Sequence, residues 1–245
     1  YDNTASTAGG AIYSTDTVTV VNTTFKRNKV NSTDSKGGAI FTFKEVNVSS
    51  SNFTDNTATN GFGGAIFTNT TVNINNASEF INNSANYGGS IYSVYGDVSA
   101  NNTLFENNTA TTSGGAIYSG GYVLSNNTNF YNNTAKTTSG GAIYSNGNVA
   151  VEDSTLTNNT ATDAAGGAIF ANSIDNLIIV NFTNNTAGVR GGAIYTLVNV
   201  TVNNSNFINN KVNSTSNNNS GGAIYTIGFV NASNTKFINN SASST

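Results

Sequence analysis

Apolar residues in this 245-residue chain fall in short bursts, and none recurs at helical spacing over a useful length. One burst alternates with polar neighbours: Val18 and Val20, Val46 and Val48, Val72 and Ile74, Val149 and Val151, Val200 and Val202. Period-two alternation bounded by Asn, Gly and Ser is the pattern of a half-buried strand. A second burst, Gly-Gly-Ala-Ile-aromatic, occurs nine times, starting at Gly9, Gly37, Gly63, Gly88, Gly114, Gly140, Gly166, Gly191 and Gly221. Only Ser90 breaks its first four positions. A third is Phe-x-x-Asn, also present nine times with Leu156 as the one replacement of Phe. The Gly pairs are 28, 26, 25, 26, 26, 26, 25 and 30 residues apart, a period that belongs to stacked repeats.

The two motifs are phase-locked. Gly pair to Phe is 16 or 17 residues in every repeat, whereas Phe to the next Gly pair ranges from 8 to 14. The length variation therefore sits in one connection, expected to face solvent. Each repeat offers three strand segments: Ile-aromatic, the alternating Val pair, and the Phe segment with a small residue five places on, such as Ala58, Ala110 or Ala135. The prediction is an all-β, right-handed parallel β-helix of about nine coils of ~26 residues with three short strands each. Coils stacked at about 4.8 Å give a rod of roughly 40 to 45 Å. A propeller blade needs about 40 residues and four strands. The Leu scaffold of leucine-rich repeats is missing. No composition break interrupts the repeat, so residues 1–245 are expected to form a single repeat domain.

Stacking converts repeated positions into columns. Asn28, Asn56, Asn83, Asn108, Asn133, Asn159, Asn185, Asn210 and Asn240 would form an amide ladder at one corner, with a structural role. The Gly pair marks a tight or positive-φ corner. Tyr13, Phe41, Phe67, Tyr92, Tyr118, Tyr144, Phe170, Tyr195 and Tyr225 follow the Ile. Adjacent strand residues face opposite ways, so invariant Ile is placed inside and this column outside, as a candidate stacking or binding stripe. Aromatics inside, beside Ala, is the competing arrangement.

Composition narrows the function. Hydrophobic residues make up 37% and charged residues 9%, with a net charge of -3. Such a chain lacks the basic excess that neutralises phosphates, which argues against nucleic acid as a partner. The basic cluster Lys26, Arg27, Lys29 and Lys36 is expected to be solvated surface. Without Cys or His there is neither a disulfide framework nor a Cys/His zinc site. No apolar run approaches the roughly 20 residues of a membrane span, so this segment is not expected to insert.

Paired Gly-Gly-Ala-Ile and Phe-x-x-Asn repeats resemble those of the polymorphic outer membrane proteins, autotransporter adhesins of chlamydiae. They are equally similar to repeats in adhesin-like surface proteins of methanogenic archaea, whose Asn-rich composition this chain shares. The resemblance covers essentially the whole chain and implies an extracellular or cell-surface β-helix serving adhesion or surface structure, with a surface glycan or protein as partner. Neither family carries a catalytic set to transfer, and no cofactor is implied. Sequons fit that setting: Asn22, Asn52, Asn69, Asn107, Asn132, Asn158, Asn184 and Asn239 are candidate N-glycosylation sites.

The competing class is a β-helix enzyme or binder acting on polysaccharide. Its clustered carboxylates are not evident here: the twelve acidic residues are scattered, and Glu152-Asp153 is the one adjacent pair. Asp55 and Glu106, near the Phe column, are two coils apart, about 10 Å, too far to share one glycosidic bond. A non-catalytic role is therefore expected. Both ends fall at nearly the same phase of the repeat without a capping element, from which a head-to-tail filament subunit is the alternative expectation.

Overall fold

The structure, a computed structural model, describes residues 1–214 and 219–244. The described residues are strands joined by turns, without helix. Every strand pairs in parallel with its equivalents one period away, Ile91 on Ile117 and Phe80 on Phe105 for example. The result is a β-solenoid of nine turns, with three sheets of nine strands and one of ten.

Each coil contributes four strands, not the three expected from sequence. In the coil opening at Gly88 they are Ile91–Ser93, Val98–Asn101, Thr103–Glu106 and Thr109–Ser113. The four sheets are named here the Ile, Val, Phe and Ala sheets. The segment taken as one strand through Phe and the later Ala is two strands in different sheets. Asn107 (φ 55°) and its equivalents hold the left-handed conformation between them, turning the chain at a corner.

Three of the four corners use a left-handed residue, and that requirement explains much of the composition. Asn107, Asn132, Asn158, Asn184 and Asn239 serve between the Phe and Ala sheets, with φ from 52° to 57°. Asn22, Asn102, Asn127, Asn204 and Asn234 serve between the Val and Phe sheets. Between the Ala and Ile sheets the first Gly of each pair does so, as at Gly114 (φ 65°). The second Gly has a different reason. A Cβ on Gly115 would run into the carbonyl oxygen of Gly141 in the next coil and the backbone of Thr134. Ala116 and Ile117 then turn inward and are fully buried.

The interior is a set of like-on-like columns. Ile, the alternating Val positions and Phe form one continuous apolar cluster. Phe53 and Phe80 stack at 4.7 Å between ring centroids, Phe80 and Phe105 at 5.0 Å, and Phe182 and Phe207 at 4.7 Å. Leu156 interrupts this column between Phe130 and Phe182. The coil of Gly166 is the least regular. Its long strand Ser173–Ile178 shifts register against both neighbours, and Ile179 adopts a left-handed φ of 56° that a β-branched residue seldom takes.

Buried polar columns lock the stack. The amide of Asn133 accepts from Asn108 N (3.1 Å) and Asn108 Nδ2 (3.0 Å), and donates to Phe105 O and Asn159 Oδ1 (both 3.0 Å). Two acceptor sites and two donors are thereby all used, which is the full capacity of an Asn side chain. The same pattern joins Asn56, Asn83, Asn108, Asn159, Asn185 and Asn210, all fully buried.

Two substitutions test this packing in opposite directions. The Ser125 hydroxyl is buried in the interior column between Ala100 and Val151 and has no hydrogen-bond partner. Ser125→Ala should raise the urea unfolding midpoint, by about 1 kcal/mol of stability. Gly115→Ala should lower stability by about 2 kcal/mol or more, since backbone atoms must move. An unchanged midpoint in either variant would contradict the packing described at that position.

Candidate binding face

The outer surface of the Ile sheet carries the aromatic column. Ile enters the apolar interior while the following aromatic stays outside it. From Tyr13 to Tyr225 nine rings stack without a break, with centroids 4.6 to 5.5 Å apart and planes within 22°. Each interior ring of the column turns both faces to its neighbours, so edges and Tyr hydroxyls are what it offers outward. A sugar needing a free ring face finds none along the middle of the column.

Two rows of side chains flank this floor. One is the residue before each Gly pair: Ala8, Lys36, Phe62, Tyr87, Ser113, Ser139, Ala165, Arg190 and Ser220. The other lies two places after the aromatic: Thr15, Phe43, Asn69, Val94, Gly120, Asn146, Asn172, Leu197 and Ile227. Neither row repeats a residue type consistently, in contrast to the Gly, Ile and Asn columns whose backbone geometry or hydrogen bonding demands one choice. The rims are high at one end, where Phe62 stacks on Tyr87 (5.3 Å) and stands edge-on to Phe67 and Tyr92. They are low over Tyr118 and Tyr144, where Asn146 donates to the Tyr118 hydroxyl at 3.2 Å. At the other end the Arg190 guanidinium lies 5.1 Å from the Tyr225 ring centre, and Ile227 is 68% exposed.

The turn between the Ile and Val sheets borders this face, and it is the corner built without a left-handed residue among those described. Instead a Ser or Thr after the aromatic is buried and reaches back one coil. Ser119 Oγ donates to Gly96 O (3.0 Å) and Ser145 Oγ to Gly121 O (2.8 Å). A second hydroxyl column precedes Phe: Thr128 N donates to Ser154 Oγ and Val180 N to Ser205 Oγ, both at 3.0 Å. These two columns were not anticipated from sequence. Their only signal was Ser or Thr at constant phase, hidden in a chain crowded with both.

The candidate glycosylation sites separate by environment. Asn107, Asn132, Asn158, Asn184 and Asn239 share the Phe-to-Ala corner, each followed by a ladder Asn. The Thr or Ser after it opens an Ala-sheet strand, Thr109–Ser113 for instance. All three sequon residues thus have a conformational role of their own. Asn22 lies at the Val-to-Phe corner, Asn52 in the strand Asn52–Thr54, and Asn69 in the turn beside the aromatic face.

Charge is sparse here too. Two ion pairs form among the described residues, Arg27–Asp2 (2.6 Å) and Lys36–Asp34 (2.7 Å), both at the surface where such pairs add little stability. Among the described residues no three or more His, Cys, Asp or Glu converge as metal ligands would. Glu152 ends a Val-sheet strand while Asp153 turns the next corner in left-handed conformation.

Five segments, residues 1–15, 102–120, 127–146, 153–172 and 179–197, match the family model described as Chlamydia polymorphic membrane protein (Chlamydia_PMP) repeat. Each of the four internal segments spans the Phe strand, the ladder Asn, the Ala-sheet strand, the Gly pair and the Ile strand. The chain carries repeats of this type over well under half of its length, and the matches do not extend to the archaeal surface proteins. No curated protein and no solved structure gave a match.

Burial pushes the Tyr92 hydroxyl up to about 12, reinforced by Tyr118, and raises Tyr144 likewise. Tyr122, in a bordering turn, is pushed up to about 12 by burial and then by the charge and hydrogen bond of Asp175. For Tyr92 and Tyr122 the unfolded chain ionises near 10.0 and the folded chain near 12. Their contribution to stability is therefore complete below pH 10 and lost as pH climbs towards 12. Phenolate absorbance of the native protein should lag that of the urea-unfolded protein across this window, with a smaller lag in Tyr122→Phe. Coincident titrations would refute the burial of these rings.

Proposed function

We infer that this chain is a non-catalytic, surface-exposed solenoid of adhesin-like or surface-structural type, which meets its partner through the rims of the aromatic face. The observation that carries this reading is the contrast between columns that repeat nine times and the two rows bordering the aromatic face, which vary in residue type and, before the Gly pair, in loop length as well. Variable side chains on a rigid, regular support are a common arrangement for recognition. The polymorphic membrane protein repeats support a surface setting. Scattered carboxylates, with no convergent acid-base pair, support a role without catalysis.

Beads coated with the 245-residue chain should adhere to a surface that uncoated beads do not hold. Leu197→Ser with Ile227→Ser should weaken attachment, whereas Asn47→Ser with Asn73→Ser on the outer Val sheet should leave it unchanged. Equal attachment of coated and uncoated beads would overturn the adhesive reading. Attachment insensitive to the rim variants would overturn the assignment of the face.

A further inference from the structure

The aromatic face is not uniform, and one end of it holds an open cleft of about 690 Å³. Its floor is the column of Tyr13, Phe41 and Phe67, and its walls are the loop of residues 32–36 and the ring of Phe43. The longer connection between Phe25 and the Gly37 pair supplies that loop, whose Lys36 Nζ meets Asp34 Oδ2 at 2.7 Å on the rim. Phe41 and Phe67 are only 4% and 5% exposed although they lie outside the apolar interior. The walls, not the core, cover them.

Phe43 differs from every ring of the column. It stands at 86° to Phe41 (4.9 Å) and 83° to Tyr13 (6.4 Å), while Phe41 is stacked on both faces by Tyr13 and Phe67. The contact therefore uses the edge of Phe41, and Phe43 lies outside the stack, 42% exposed. On the opposite wall stand a carboxylate and an ammonium whose charges cancel. The cavity volume is within the ~300–1,000 Å³ range of sites for small ligands. Its ligand must bring an apolar face to rings and a rim of hydroxyls to a donor and an acceptor side by side, without net charge. An extended peptide has no sheet edge to join over Phe41 and Phe67, whose strands are paired on both sides; the nearest open edge is that of the terminal strand Ile12–Ser14.

The geometry points to this cavity as a binding site for a neutral pyranose unit of a surface glycan, with Phe43 as the stacking platform and Asp34 and Lys36 as hydroxyl partners. It rests on the adhesive reading above and names the chemistry of one contact within it. The test is binding of the 245-residue chain to immobilised glucose, galactose and mannose oligosaccharides and to sialylated counterparts, with circular dichroism confirming each variant's fold. Neutral oligosaccharides should bind. Phe43→Ala should weaken binding about tenfold, the order expected for one aromatic contact. Asp34→Asn and Lys36→Met should each weaken it, and Asn47→Ser, on the outer Val sheet, should not. No binding to any neutral oligosaccharide, preference for sialylated ones, or insensitivity to Phe43→Ala and Asp34→Asn would each overturn the site. Bead attachment persisting without oligosaccharide binding would sink this site while leaving the adhesive reading intact.

Discussion

Every coil must sit on the one before in a single register, and the buried Asn column is what leaves no alternative. Backbone ladders alone permit slippage by two residues, because they look alike after such a shift and each side chain keeps its face, whereas a one-residue slip would turn the apolar set outward. A fully committed amide removes that freedom. Asn133 Oδ1 accepts from Asn108 N, and Asn133 Nδ2 donates to Phe105 O in the coil before and to Asn159 Oδ1 in the coil after, so one side chain ties the coils on both sides of its own. A coil slipped by two positions would bury several of these groups unpaired, at about 1–3 kcal/mol each. The Phe and Ile columns then stack because the register is already set, and their burial supplies most of the driving force.

Fixing the inside so tightly leaves few places where the chain is free. The left-handed corners take mostly Asn or Gly, and the inward positions are mostly Ile, Val, Phe or Ala. Outward positions vary in residue type on every sheet, but the connection before the Gly pair varies in length as well. With the tip of the turn after the aromatic it borders the Ile sheet, so that face is the one whose outline changes from coil to coil. Phe43, Phe62 and Tyr87 crowd one end of it, Gly120 and Asn146 lower the middle, and Leu197 and Ile227 make the far end apolar.

Much of this was legible in the sequence because repetition makes geometry visible. The nine Gly pairs and the Phe-x-x-Asn motif predicted a stacked β architecture, and Ile being invariant placed it inward. The number of strands was not legible. Phe105 and Ala110 look like one strand at five-residue separation, and only the left-handed Asn107 between them divides it. The hydroxyl columns of Ser119 and Ser154 were hidden by interchange of Ser and Thr. The sequons at Asn132 and Asn158 share one corner, where the first Asn turns the chain and the second joins the buried ladder. The aromatic stripe was expected outside as a stacking or binding column; which way its rings face depends on the parallel register, which turns the faces of Tyr118 and Tyr144 onto each other.

The direct test of the amide column is amide hydrogen exchange in Asn133→Ala, read alongside its urea unfolding midpoint. The column account predicts that Asn108 N–H loses protection, that strands in the coils on both sides exchange faster, and that stability falls by about 3 kcal/mol. Retained protection at Asn108 with an unchanged midpoint would show that the apolar columns set the register alone, and that the Asn ladder follows from the stack instead of fixing it.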